Sequence, residues 1–184
     1  MKVVQPIRDF DKVEEIMRLL KAKNERDYIL FLTGLYTALR ISDILRIRVE
    51  DIQTDYLNIR EKKTSKFRRV YLNPTLKKAL REYIANKEPH EYLIKSREGG
   101  NKPISRAMAY KILKDAAKEV GLDSIGTHSL RKTFGYFVYK DTKDVAALQK
   151  LFNHSNPEET LRYIGIEQDN VDTLIKNVFK NARL

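Results

Sequence analysis

The chain has no cysteine among its 184 residues, which excludes disulfides and thiolate metal sites. It has no apolar run that approaches the length of a membrane span. Its opening residues, Met1-Lys2-Val3-Val4-Gln5-Pro6, lack the apolar core of a signal peptide. Internal repeats, low-complexity tracts and a clear linker are also missing. These absences point to one compact domain in a cytoplasmic protein, with no membrane partner. Apolar residues make up 42% of the chain, too many for a disordered one. A length of this order suits a single domain with a sizeable core.

Charge is unevenly signed. Lys and Arg number 36 against 25 Asp and Glu, a net +11, and the pI is near 9.7. A surplus of this size favours a polyanionic partner. Binding to such a partner releases counterions and weakens with salt.

Periodicity predicts a mainly α protein with a small antiparallel β-sheet, an α+β fold. Val13, Ile16, Met17 and Leu20 recur at helical spacing over 11–22, after Asp9 or Asp11 as a cap. Residues 25–38 read as a buried helix, and a short helix follows Ser42 through Asp43 to Ile47. The period then changes. Tyr56, Leu57 and Ile59, a polar turn at 61–66, and Phe67, Val70, Tyr71 and Leu72 read as a β-hairpin with a lysine-rich tip. Pro74 opens a helix to about Asn86. Ser105 caps another to about Val120, and Gly121 stops it. Further helices are predicted over about 128–140, 144–152 and 157–163, with a last one from about Asn170.

The last third of the chain carries two imidazoles, a guanidinium and a phenol: His128, Arg131, His154 and Tyr163. Breaking a phosphodiester needs charge neutralisation, an in-line nucleophile and an acid for the leaving oxygen. Arginine suits the first task because its planar fork binds two phosphate oxygens and stays charged. Tyrosine can attack, although only about one phenol in a thousand is ionised at neutral pH. A positive site lowers that barrier. Taken singly, each residue has a plain alternative. Arg40 suits a helix end, His128 a helix start, His154 a turn, and Tyr163 the core; Tyr136 and Tyr139 are rival phenols.

Three segments together resemble the tyrosine recombinases, the phage integrase family. Thr37-Ala38-Leu39-Arg40-Ile41-Ser42-Asp43 resembles the family's first arginine box. Thr127-His128-Ser129-Leu130-Arg131-Lys132-Thr133-Phe134 resembles the second. Leu151-Phe152-Asn153-His154-Ser155, continuing to Thr160-Leu161-Arg162-Tyr163, resembles the third. His154 follows Arg131 by 23 residues, and Tyr163 follows His154 by 9. The likeness covers roughly residues 10–180 and implies the family's catalytic-domain fold. Lys63-Thr64-Ser65-Lys66-Phe67-Arg68 resembles the family's lysine hairpin, with Lys63 in the catalytic position and Lys62 and Lys66 as rivals.

The resemblance implies six catalytic residues: Arg40, Lys63, His128, Arg131, His154 and Tyr163. Arg40 and Arg131 would clamp the phosphate, His128 would assist proton transfer, and His154 would donate a hydrogen bond. Lys63 would protonate the leaving oxygen. Tyr163 would attack to leave a 3′-phosphotyrosine link, without ATP, metal or cofactor. It also implies double-stranded DNA as partner, a tetramer on synapsed DNA and a monomer when free. Asn153 stands where the family often has glycine, and asparagine tolerates the left-handed backbone such a turn needs. Asp43 is expected to brace Arg40. About ten residues precede the first helix, so the family's N-terminal DNA-binding domain is expected to be absent, the chain being a catalytic fragment or a short member. Val171, Leu174, Ile175, Val178 and Phe179 form one apolar helix face, which packs on its own domain or, in the family's manner, on a neighbouring protomer. Two other functions share the fold: a non-catalytic DNA-binding regulator and a type IB topoisomerase.

Overall fold

Short polar residues punctuate the chain, and the helices begin where those residues can cap them. The structure, a computed structural model, describes residues 4–63, 65–123 and 125–179. Helix α1 is Phe10–Lys23; the Asp9 carboxylate accepts the Asp11 N–H at its start. Helix α2 is Glu25–Thr37, capped by the Asn24 side chain. Helix α4, Pro74–Ile84, has Asn73 as cap and proline in its first turn. Ser105 caps α5, Arg106–Glu119. In each case a side-chain oxygen satisfies a backbone donor that the helix leaves open.

Helix α3, Ile41–Ile44, is shorter than the predicted stretch to Ile47. Residues Val49–Asp51 instead tighten into a 3-10 turn. The hairpin forms as expected. Strand β1, Tyr56–Arg60, pairs antiparallel with β2, Phe67–Tyr71, in a register that sets Leu57 opposite Val70. Leu57, Ile59 and Val70 face the core while Arg60, Phe67 and Tyr71 face solvent, the period-two alternation of a half-covered sheet. Tyr56 and Tyr71 meet edge to face at 5.8 Å, and the Arg69 guanidinium lies 3.7 Å from the Tyr56 ring centre.

Helix α6 is Thr127–Thr142, α7 is Val145–Phe152, α8 is Pro157–Ile164 and α9 is Ile166–Phe179. The last begins four residues before the predicted Asn170, because Gly165, at φ +83°, supplies the left-handed turn that ends α8 and lets the next helix start at once. No helix among the described residues is long and apolar enough to cross a membrane.

Backbone contacts group the chain into two compact units, 1–134 and 135–184. The first unit's core is built from α2, α3, the hairpin, α4 and the start of α5; Leu30, Leu32, Ile44, Leu57, Leu76 and Ile94 are among its buried members. In it α2 and α6 approach closely. A β-carbon added to Gly34 comes within 2.5 Å of Leu130 Cδ1. In the second unit Gly135 plays the corresponding part: an added β-carbon lies 2.6 Å from Ile164 and 2.7 Å from Phe152. Val171, Leu174, Ile175 and Val178 on α9 are all exposed, so that face does not pack on its own unit.

Gly135 yields a direct test. Glycine to alanine inside a helix ordinarily gains about 1 kcal/mol, but overpacking of this kind costs about 1–3 kcal/mol. Gly135→Ala is expected to lower stability by up to roughly 2 kcal/mol net, read from the urea midpoint, since two neighbouring side chains block the methyl. A stabilised variant contradicts the close approach.

Candidate active site

The cationic part of the site lies in the first unit and is organised by one turn. Helix α2 ends at Ala38, which adopts the left-handed conformation (φ 53°, ψ 22°). Thr37 steadies the turn: its hydroxyl donates to the Thr33 carbonyl at 2.5 Å and accepts the Leu39 N–H at 3.3 Å. The Ala38 carbonyl accepts a hydrogen bond from the Arg131 guanidinium. Arg131 is only 4% exposed, so this bond holds a buried cation. Two residues after Ala38, Arg40 caps the start of α3 in an extended conformation. The same turn therefore binds one arginine and launches the other.

Arg131 is delivered by the first half of α6, and each neighbour in that segment has a structural task. The Ser129 hydroxyl accepts the Gly126 N–H at 3.1 Å. Leu130 fills the space against Gly34. Lys132 Nζ donates to the Val4 carbonyl at 2.7 Å, and the buried Thr133 hydroxyl accepts the Ile7 N–H at 2.8 Å. The N-terminal segment is thereby tied to the helix that presents His128 and Arg131.

Asp43 does not brace Arg40 as expected. Its Oδ1 accepts the Lys62 backbone N–H at 2.9 Å, while Glu61 holds Arg40 through Nη1 at 3.4 Å. Glu61 also takes Arg68 Nη1 at 3.1 Å and is 9% exposed. A buried carboxylate between two guanidiniums offsets its own desolvation through charge-assisted bonds. Sequence reading missed Glu61; its signal was an acid at the base of a lysine-rich turn. The Glu61 N–H donates to the Lys66 carbonyl at 3.0 Å and its carbonyl accepts the Ser65 N–H at 2.9 Å, closing the turn. Lys63 is exposed within that turn, directly after the two anchored residues. Thr64 lies outside the described residues.

The imidazole of His128 stands exposed in the first turn of α6. Partial burial of the ring pushes it below the ordinary histidine value, and the positive charges of Arg131, Lys132 and Arg40 push the same way. That influence brings His128, Arg131 and Arg40 into one electrostatic neighbourhood.

His154 and Tyr163 come together in the second unit. Asn153 ends α7 in the left-handed conformation (φ 56°), as its residue type permits. The His154 N–H then donates to the Gln149 carbonyl at 3.1 Å. The rings of Phe152, His154 and Tyr163 form a triangle with centroids 5.1–5.4 Å apart. His154 meets Tyr163 edge to face at 73°, a favourable arrangement for aromatic rings. Tyr163 lies one residue before the end of α8, whose cap is Asn156 and whose first residue is Pro157. Its side chain is half-buried. The rival Tyr136 is 7% exposed, a core position, and Tyr139 has the Lys143 ammonium 5.3 Å from its ring centre.

A profile of the phage integrase family matches residues 8–169. The chain belongs to the phage integrase family. The chain is 51% identical over 170 residues to a probable integrase/recombinase, YoeC, of Bacillus subtilis; the match covers 92% of this chain and 93% of that protein. The fold matches a crystal structure of XerA recombinase with a TM-score of 0.76 at 19% identity, covering all of this chain and 68% of the other. It also matches XerH recombinase bound to a palindromic difH substrate, with a TM-score of 0.70 at 18% identity over 95% of this chain and 53% of that one. The chain spans 46–63% of the longer curated relatives that it matches. The architecture is that of a tyrosine recombinase catalytic domain.

The setting of His128 has a measurable consequence. Above about pH 6.5 the ring is neutral in both folded and unfolded chains. As pH falls through that value the unfolded chain takes up its proton first, so folding loses stability until the folded ring also protonates. An NMR titration, with the resonance assigned through His128→Asn, is expected to give a midpoint below about 6.5. A midpoint at or above that value removes the cationic neighbourhood inferred for the ring.

Proposed function

We propose that this chain is a site-specific DNA recombinase or integrase that cuts and rejoins strands through a 3′-phosphotyrosine intermediate, with residues 1–184 acting as one catalytic domain. The observation that supports this reading most is the pairing of a half-buried phenol with an imidazole on α8 and its leading turn, in a chain whose α6 and α2–α3 turn gather two arginines and a second imidazole. The net charge of +11 suits a duplex DNA substrate.

The chemistry assigns each group a task. Arg40 and Arg131 hold the non-bridging oxygens of the scissile phosphate, where fixed positive charge stabilises the charge that builds in the transition state. His154 adds a hydrogen bond to the same phosphate. Tyr163 Oη attacks phosphorus; the bond to the 5′-oxygen breaks, and that oxygen takes a proton from Lys63. His128, held neutral by its surroundings, accepts the phenolic proton. The products are a phosphotyrosine link and a free 5′-hydroxyl. Attack by a partner strand's 5′-hydroxyl reverses these steps and reseals the DNA. One phosphodiester is exchanged for another of similar energy, so the reaction needs no ATP, and the two arginines supply the charge neutralisation that a metal would otherwise provide.

The exposed face of α9 fits a second copy of the chain. Four large apolar residues, 45–68% exposed, form a stripe of the kind that marks an interaction surface. We assign it to contact between protomers in a tetramer on synapsed DNA, the free chain being a monomer.

Two experiments test these assignments. A nicked suicide duplex, carrying a site selected from a randomised pool for binding to this chain, is expected to trap a covalent adduct that disappears in Tyr163→Phe. Survival of the adduct reassigns the nucleophile, and no adduct from the wild-type chain on a bound site favours a non-catalytic regulator. Deleting residues 171–184 is expected to weaken synapsis, measured by gel shift, more than single-site binding. Equal loss of both removes the protomer contact.

A further inference from the structure

The third box contains a buried hydroxyl for which the proposed chemistry has no task. Thr160 lies in the first half of α8, three residues before Tyr163, and is fully buried. Its Oγ1 stands 3.0 Å from His154 Nδ1. Among the described residues the same hydroxyl also faces the Asn156 carbonyl, at 3.5 Å. O–H···O hydrogen bonds ordinarily span about 2.5–3.0 Å, so the contact to Asn156 is long. Nδ1, at 3.0 Å against 3.5 Å, is the closer acceptor by 0.5 Å.

A neutral imidazole carries one N–H, and the hydrogen bond made at one nitrogen decides where that proton sits. A hydroxyl that donates to Nδ1 leaves the proton on Nε2. We infer that Thr160 is a positioning residue: it donates its hydroxyl proton to His154 Nδ1, locks the ring as the Nε2–H tautomer, and makes the neutral imidazole a hydrogen-bond donor to the phosphate. This rests on the reading of His154 as a phosphate ligand. Without Thr160 the ring is free to place its proton on Nδ1, and Nε2 then presents a lone pair that repels an anionic oxygen. Position and tautomer are set together. The backbone of His154 is held by Gln149 on both sides, through its N–H at 3.1 Å and its carbonyl at 3.4 Å. The ring plane is set by Phe152 and Tyr163. Thr160 and Tyr163 share α8, so one helix carries the nucleophile and orients the imidazole beside it.

The test reads the tautomer directly on the whole chain without DNA. With 15N-histidine labelling, long-range proton–nitrogen correlation above the imidazole titration is expected to give a protonated Nε2 and a bare Nδ1 for His154. Thr160→Val keeps the shape and removes the hydroxyl; it is expected to give a tautomer mixture and at least a roughly tenfold slower single-turnover cleavage of the suicide duplex, the loss typical when a group that orients a histidine is removed. Thr160→Ser is expected to restore both readouts. Chemical-shift maps of the two variants check that each is folded. A wild-type ring protonated on Nδ1 overturns the inference. So does a switched tautomer in Thr160→Val with undiminished cleavage while His154→Ala is impaired. Undiminished cleavage in His154→Ala instead removes the phosphate role of His154 itself, a failure that the tautomer spectrum separates from the first.

Discussion

The bond from the Arg131 guanidinium to the Ala38 carbonyl is the contact on which the cationic half of the site depends. It joins the end of α2 to the first half of α6, segments 93 residues apart in the chain. Alanine in a left-handed turn costs about 1–2 kcal/mol. A hydrogen bond from a charged donor returns about 1.5–3 kcal/mol, so the two terms offset each other and the turn is affordable only while the arginine is present. The same bond satisfies part of the buried Arg131 guanidinium. It also explains why Arg40, two residues on, leaves the helix axis rather than continuing α2.

Carboxylates enter this site as fasteners. Glu61 spans Arg40 and Arg68, and Asp43 takes the backbone of Lys62. Their joint effect is to dock the hairpin turn on the segment that carries the first arginine. A site made only of cations repels itself as well as attracting a phosphate. The Glu61 carboxylate partly compensates the Arg40 charge in the free chain.

Much of the fold was legible because local chemistry marks element ends. Asp9, Asn24, Asn73, Ser105 and Asn156 each cap a helix with a side-chain oxygen, and Pro74 and Pro157 occupy first turns. The hairpin followed from its change of period. What escaped is tertiary. The early stop of α3 and the 3-10 turn at 49–51 accompany a pairing of Arg48 with Tyr92, a partner no local pattern announces. The start of α9 was placed late because Gly165 reads equally well as a loop residue. At the site, Asn153 behaved as its residue type allows, whereas the role expected of Asp43 falls to Glu61: Asp43 is near Arg40 in sequence, but Glu61, 21 residues away, is the acid that pairs with it. The gathering of Arg40, Arg131 and His128, and of His154 with Tyr163, followed the family's motif order and not any property visible in one segment.

Anchoring of the hairpin turn also limits how far its lysine can roam. Lys62 is fastened by its own amide, and successive α-carbons are about 3.8 Å apart. The root of Lys63 is therefore confined to a short arc about a fixed pivot, with the remaining freedom in four side-chain torsions. In the role proposed for Lys63, a leash of that length would make proton delivery a matter of rotamer choice, which exchanges in picoseconds to nanoseconds at exposed positions, and would relieve the backbone of any need to travel.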